Sequence, residues 1–320
     1  MSISGKGSGT GLPNPYPVQI TTPDISAYAK GNTGTPYLWT FDSGQPGPHV
    51  AISALVHGNE PCGALALDRL LRADTRPLRG RLSLVFVNTE AAAAFDPSEP
   101  DASRWLDEDM NRLWSPAVLD DASRPLTAEL SRARELRPWL ETVDLLLDLH
   151  SMQHKTPPLA LAGWQDRGVA LAQGIGCPPV IVCDHGHAEG VRMRDYGGFA
   201  SDQGSKAAVL IECGQHWEAA SETVAHDCVD GFLRHTRLIE GQPPAARAEI
   251  LHVTEAVTIA SADFRFAQDW VGFERLPQGT LIATDGGQDI RAPHDPTVLI
   301  MPSRRLWPGK TAVRLARIGG

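Results

Sequence analysis

Three apolar runs of strand length constrain this chain more than anything else in it. They are residues 50–56 (VAISALV), 143–149 (VDLLLDL) and 207–211 (AAVLI), and each runs straight into polar residues. Runs that do not alternate with polar positions mark strands buried on both faces, the kind found in sheets covered by helices. Further strands are expected at residues 82–87, 159–162 and 180–183, and helices at 62–72, 127–140, 167–174 and 221–238. In the first of these helices Leu65, Leu67, Leu70 and Leu71 approximate one apolar stripe, while Asp68, Arg69 and Arg72 face water. Such alternation over residues 35–240 predicts an α/β fold with a mixed, mostly parallel sheet flanked by helices.

The rest of the chain reads differently. The Pro and Gly of residues 241–247 (GQPPAAR) suggest a linker, and the short β-type runs beyond it place a small C-terminal all-β domain at 248–320. Residues 1–34 read as a flexible N-terminal tail and lead-in to the domain at 35–240. Residues 88–125 form a long stretch, rich in Ala, Asp, Ser and Pro and without periodicity, which marks either a functional loop or a disordered one.

Composition narrows the partners. A formal charge of −9 with scattered Lys and Arg lacks the basic footprint that nucleic acid binding requires. The apolar runs fall far short of the roughly 20 residues of a membrane helix. The N-terminus, with one lysine and no apolar stretch, does not resemble a secretory signal. Five cysteines without CxxC spacing fit reduced thiols, so a cytoplasmic location is expected.

The chemistry gathers at the strand ends, where α/β folds place their ligands. The first run ends in HGNEP. Pro61 suits the first helical position and disfavours helical geometry before it, so Glu60 sits at the cap with its carboxylate free to turn toward His57. The second run delivers His150. Two histidines and a carboxylate are the protein ligands of a hydrolytic zinc site, which lowers the pKa of bound water from about 15.7 toward 7. Asp148, two residues before His150 on the same strand face, is placed to accept a hydrogen bond from a ligand imidazole. The third run ends in Glu212, a charged residue after an almost entirely apolar segment and hence a candidate proton shuttle. The long loop contributes RWLDEDMNR, where Arg104, Asn111 and Arg112 suit a carboxylate, because guanidinium binds it through parallel hydrogen bonds.

Together, HGNE at 57–60, RxxxxDxNR at 104–112, DLHS at 148–151 and IECG at 211–214 resemble the succinylglutamate desuccinylase and aspartoacylase family, which is related to the zinc carboxypeptidases. The resemblance covers about residues 50–240 in motif order and spacing. It implies a single zinc ion on His57, Glu60 and His150, with Glu212 as general base. It implies Arg104 as stabiliser of the oxyanion, Asn111 and Arg112 as the grip on a substrate carboxylate, and Asp109 as a brace for the loop. The implied activity is hydrolysis of an N-acyl amino acid or similar small amide, and residues 248–320 correspond to the family's mouth-narrowing β domain. The expected partner is therefore a small N-acyl substrate, with no nucleic acid and no membrane, and with room for a homo-oligomer.

One interval departs from the family. Members acting on acylated aspartate use tyrosine and arginine shortly before the base, and here only Arg192, Arg194 and Tyr196 are comparable. His185 and His187 read as exposed or substrate-facing rather than as a second metal site. His154 and His216 are candidates to line the pocket, Cys213 reads as a small buried residue, and Trp105 and Trp114 as packing anchors. Two other readings share the motifs: a carboxypeptidase-like peptidase, and an idle zinc-binding protein.

Overall fold

The protein is described by a computed structural model over residues 16–187, 189–243 and 247–319. Up to residue 240 the described residues supply seven strands: β1 (Leu38–Asp42), β2 (His49–Ala54), β3 (Arg81–Phe86), β4 (Leu145–Met152), β5 (Leu159–Leu161), β6 (Val180–Cys183) and β7 (Ala207–Gln215). Six helices join them: α1 (Pro61–Arg72), α2 (Thr89–Ala93), α3 (Pro116–Leu119), α4 (Ala128–Leu140), α5 (Asp166–Ile175) and α6 (Ala219–His235). The expected strands and the four long helices are present, with ends moved by up to a few residues. Strand β1 and the short helices α2 and α3 were not apparent in the sequence. Half-buried β1 has no continuous apolar run, and α2 and α3 span about one turn each, too little to show a period.

The strand order is β1-β3-β2-β4-β7-β5-β6. Strands β3, β2, β4 and β7 are mutually parallel, and β1 and β5 enter antiparallel. Strand alternation then sorts side chains between the faces. Val50, Ile52, Ala54, Leu147, Leu149, Val209 and Ile211 share one core with α1, α5 and α6. Ala51, Leu146 and Ala208 belong to the opposite core, with α4. Ser53, Asp148, His150 and Glu212 are in phase with that second set, so the polar residues lie on the face that α1, α5 and α6 leave free.

The C-terminal part is made of β8 (Glu249–Thr258), β9 (Arg265–Phe266), β10 (Arg275–Leu276), β11 (Leu281–Asp285), β12 (Gln288–Arg291), β13 (Thr297–Ile300) and β14 (Thr311–Ile318). Its all-β character is as expected, but it is not detached. Strand β8 pairs parallel with β6, and the sheet continues through β14, β13 and β10. The remaining three strands form a small second sheet, β12-β11-β9, which shares with β8, β13 and β14 a core that includes Val257, Phe264, Trp270, Leu299 and Val313. Of the linker reading, residues 244–246 lie outside the described residues, as do residues 1–15 of the tail. Residues 16–34 pack down instead of extending away: Ile20 is buried, the amide of Gln19 donates to the Trp217 carbonyl, and Tyr28 stacks on Phe86. No helix among the described residues is long and apolar enough to cross a membrane.

Helix α1 rests on the two strands that lead to His57 and His150, and it comes so close because Gly63 has no side chain. A methyl group there would lie 2.8 Å from Leu149 Cβ and 2.9 Å from Ala54 Cβ. Gly63→Ala is expected to destabilise the fold by about 1–3 kcal/mol through overpacking. Urea denaturation checks this, and an unchanged midpoint contradicts the close-contact account.

Candidate metal and substrate site

Strand β2 ends in a backbone twist. Leu55, buried under α1, has φ of 61°, a conformation rare for a non-glycine residue, and it turns the chain out of the sheet. Residues 57–60 then cross the carboxyl edge of the sheet before Pro61 opens α1. Glu60 is the N-cap residue, and its side chain caps nothing. It turns back to His57 instead, with Oε1 at 2.7 Å from Nδ1, as Pro61 suggested. Its other oxygen, Oε2, lies 2.9 Å from His150 Nδ1 and accepts from the Ser151 amide at 3.0 Å.

One nitrogen of each imidazole therefore faces Glu60, and the other is backed by a second carboxylate. His150 Nε2 lies 3.1 Å from Asp148 Oδ2, and His57 Nε2 lies 3.0 Å from Asp109 Oδ1. Asp148 is in turn steadied by the Ser53 hydroxyl at 2.7 Å. The donor atoms of His57, Glu60 and His150 lie within 4.8 Å of one another, and all three residues are buried. Two nitrogens and one oxygen, each histidine backed by a carboxylate that fixes its tautomer, is a donor set that fits a divalent metal such as zinc.

The charges support one another. Burial opposes ionisation of Glu60, yet the two imidazoles hold its carboxyl well below the usual carboxylate range. Burial also opposes a charged His150, but Asp148 and Glu60 raise its pKa well above the ordinary value. Glu212 sits beside His150 in the β4–β7 register. Its Oε2 is buried without a hydrogen-bond partner among the described residues, and burial, followed by the charge of Glu60, pushes its pKa up to about 8.

The long loop reaches the same place. Arg104 Nη1 donates to Glu60 Oε1 at 3.1 Å, and Nη2 approaches His57 Nε2 at 3.0 Å. Asn111 is buried, with Oδ1 accepting from the Met193 amide at 2.9 Å and Nδ2 unpaired among the described residues. Arg112 donates to the Asn111 carbonyl at 2.7 Å. All seven site residues expected from the sequence line one cavity of about 330 Å³. Asp109 braces the loop locally, its side chain accepting from the Asn111 amide.

The main brace went unread in the sequence. Fully buried Glu129 accepts from the amides of Leu106 and Asp107 at 2.7 and 3.1 Å and from Asn88 Nδ2 at 3.1 Å. In the sequence Glu129 is indistinguishable from an ordinary acid in the first turn of a helix. Also unread were Arg305, Lys310 and Arg314, which bring the C-terminal part into the cavity wall.

The remaining candidates separate cleanly. His154 and His187 line the cavity. His216 lies behind it, 2.8 Å from the Ser151 hydroxyl, and His185 stacks on Trp164 away from it. Trp114 is a buried anchor, whereas Trp105 is part of the cavity wall. Cys213 is buried, as expected. Tyr196 points away, donating to Glu141 at 2.7 Å.

Residues 46–238 match the family model for the succinylglutamate desuccinylase/aspartoacylase catalytic domain. A succinylglutamate desuccinylase of Pseudoalteromonas atlantica is 23% identical over 289 residues, covering 82% of this chain and 79% of that protein. Among solved structures, succinylglutamate desuccinylase from Vibrio cholerae superposes with a TM-score of 0.69 at 15% identity, over 89% of this chain and 86% of that one. The product-bound ectoine utilization protein of Ruegeria pomeroyi gives 0.58 at 21% identity, over 88% of each. The structural likenesses establish the shared fold, and the family match spans both the metal-type cluster and Glu212. The chain belongs to the succinylglutamate desuccinylase/aspartoacylase family.

Proposed function

We propose that this protein is a zinc-dependent amide hydrolase that removes an acyl group from an N-acyl amino acid or a related small carboxylate-bearing amide. The observation that carries the reading is the buried His57–Glu60–His150 cluster with, on the neighbouring strand, Glu212, whose Oε2 has no hydrogen-bond partner among the described residues, all lining one cavity. The names of its relatives agree, since a desuccinylase hydrolyses an amide bond.

His57, Glu60 and His150 would hold the ion, which when bound supplies Lewis acidity and a lowered pKa for water. Glu212, whose carboxylate form the positive charge of a bound ion would favour, would accept the proton of the attacking water and return it to the leaving nitrogen, a role helped by an Oε2 with no competing hydrogen bond among the described residues. Arg104, at the edge of the cluster, places positive charge where the carbonyl oxygen becomes negative. Asn111 Nδ2 and the Arg112 guanidinium offer donors to a substrate carboxylate. Peptides fit less well than small amides, because Met301, Ser303, Trp307 and their neighbours wall the cavity on the C-terminal side and keep it near the lower bound for small-molecule sites, about 300 Å³.

Elemental analysis of gently purified protein is expected to find about one zinc per chain. Chelation should remove activity and lower the thermal midpoint, and zinc should restore both. Less than about half an equivalent of any divalent metal counts against the site. Replacing Glu212 with Gln should reduce kcat by about 10²- to 10⁴-fold while zinc content stays the same. Survival of full hydrolysis removes Glu212 as base. Arg112→Lys keeps the charge but loses the planar fork, so KM for carboxylate substrates should rise about tenfold. Identical kinetics would take Arg112 out of the binding site.

A further inference from the structure

The interval before Glu212 contains two arginines, and neither is available to a substrate. Arg192 is buried in a fork with Asp184, at 2.9 and 2.7 Å, and its Nε is held by Asp195. Arg194 is spent on Asp195 and on the carbonyls of Ala162 and Ala208. A free guanidinium nevertheless reaches the cavity from the opposite end of the chain. Arg314, on β14, lines the same cavity as Arg112 and Glu212 and is only 9% exposed. Its guanidinium makes no hydrogen bond among the described residues, and its one ion-pair contact is a 4.0 Å approach of Nε to Asp184, already engaged by Arg192. An arginine so deeply buried is ordinarily paired, since an unpaired buried charge carries a large desolvation cost.

Neighbouring acids answer this end of the cavity only in part: Asp184, held by Arg192, and Glu212 face Arg314 without a hydrogen bond to it among the described residues. Glu189 is paired with Lys310 at 2.7 Å, and Asp109 is shared among His57, Arg104 and Arg112. His187, between these cations, has its pKa lowered to about 3 by burial and then by Arg112, Arg314 and Arg192. It is neutral at ordinary pH and adds no charge of its own. The cavity therefore presents three guanidinium groups with hydrogen-bonding capacity left over: Arg112 from the long loop, Arg305, whose ion-pair contact is a 3.9 Å approach to Asp101, and Arg314 from the last strand, the most deeply buried of the three.

We infer that Arg314 is a specificity-determining residue, a carboxylate receptor supplied by the C-terminal strand in place of the arginines that precede the general base. It selects substrates that carry a second carboxylate beyond the one held by Asn111 and Arg112. The inference rests on the reading of Asn111 and Arg112 as a carboxylate grip.

Calorimetric titration of the zinc-loaded protein with succinate and with butyrate tests it, because the two ligands match in chain length and differ in one carboxylate. Succinate should bind at least about tenfold more tightly than butyrate, the scale of one charge-assisted contact. Arg314→Leu should erase that difference by weakening succinate alone. Arg314→Lys, which keeps the charge without the fork, should retain part of it and serves as the informative variant if the leucine form does not fold. Equal binding of the two ligands by the unaltered protein overturns the inference, as does a succinate preference that survives in a folded Arg314 variant. Equal weakening of both ligands also overturns it, since that marks a general structural role. Hydrolysis is scored separately: a protein that cleaves no N-acyl amino acid yet shows the Arg314-dependent preference loses the reaction assignment and keeps the receptor.

Discussion

A single buried carboxylate organises this site. Glu60 touches both imidazoles and receives a guanidinium nitrogen and a backbone amide, so its two oxygens tie together β2, β4 and the long loop. None of these charges is tolerable alone. Removing one member of such a buried network typically costs about 3–5 kcal/mol, because its partner is left charged and unpaired. The arrangement persists because each group is answered by another, out to Asp148 and Asp109 behind the histidines.

Around this centre, function is shared between parts of the chain that are far apart in sequence. The sheet supplies the rigid half: β2, β4 and β7 are buried on both faces and end side by side, so His57, His150 and Glu212 arrive on a frame that packing holds in place. The mobile-looking half, residues 88–125, is ordered by other means. Glu129 receives its backbone amides, and Asp109 caps the short turn that carries Asn111 and Arg112. The C-terminal strands close the third side, joined to the frame through β6 and β8 and clasped to the cavity rim by the Lys310–Glu189 pair.

This division explains which features were legible in advance. Continuous apolar runs force strands, and the first polar residues after such a run lie toward the carboxyl end of the sheet, so His57, Glu60, His150 and Glu212 could be picked out from local pattern, although β4 and β7 continue past His150 and Glu212 to Met152 and Gln215. The Pro after Glu60 fixed the cap geometry, and the two-residue step from Asp148 to His150 fixed their common face. These are short-range consequences of backbone stereochemistry and need no knowledge of the fold.

The rest depended on contacts between distant segments. Glu129 looks like any first-turn acid until the loop folds onto it. Arg192 and Arg194 look available until Asp184, Asp195 and two carbonyls claim them, and Arg314 looks like a surface strand residue until β14 joins the sheet beside the pocket. The residues at 248–320 announced β structure, yet only pairing with β6 made them part of the same sheet. By itself the sequence determined the buried strands and which histidines and carboxylates follow them. Tertiary structure decided which charges are already satisfied and which remain free for a ligand, because neutralisation is set by distances across the fold and not by order along the chain.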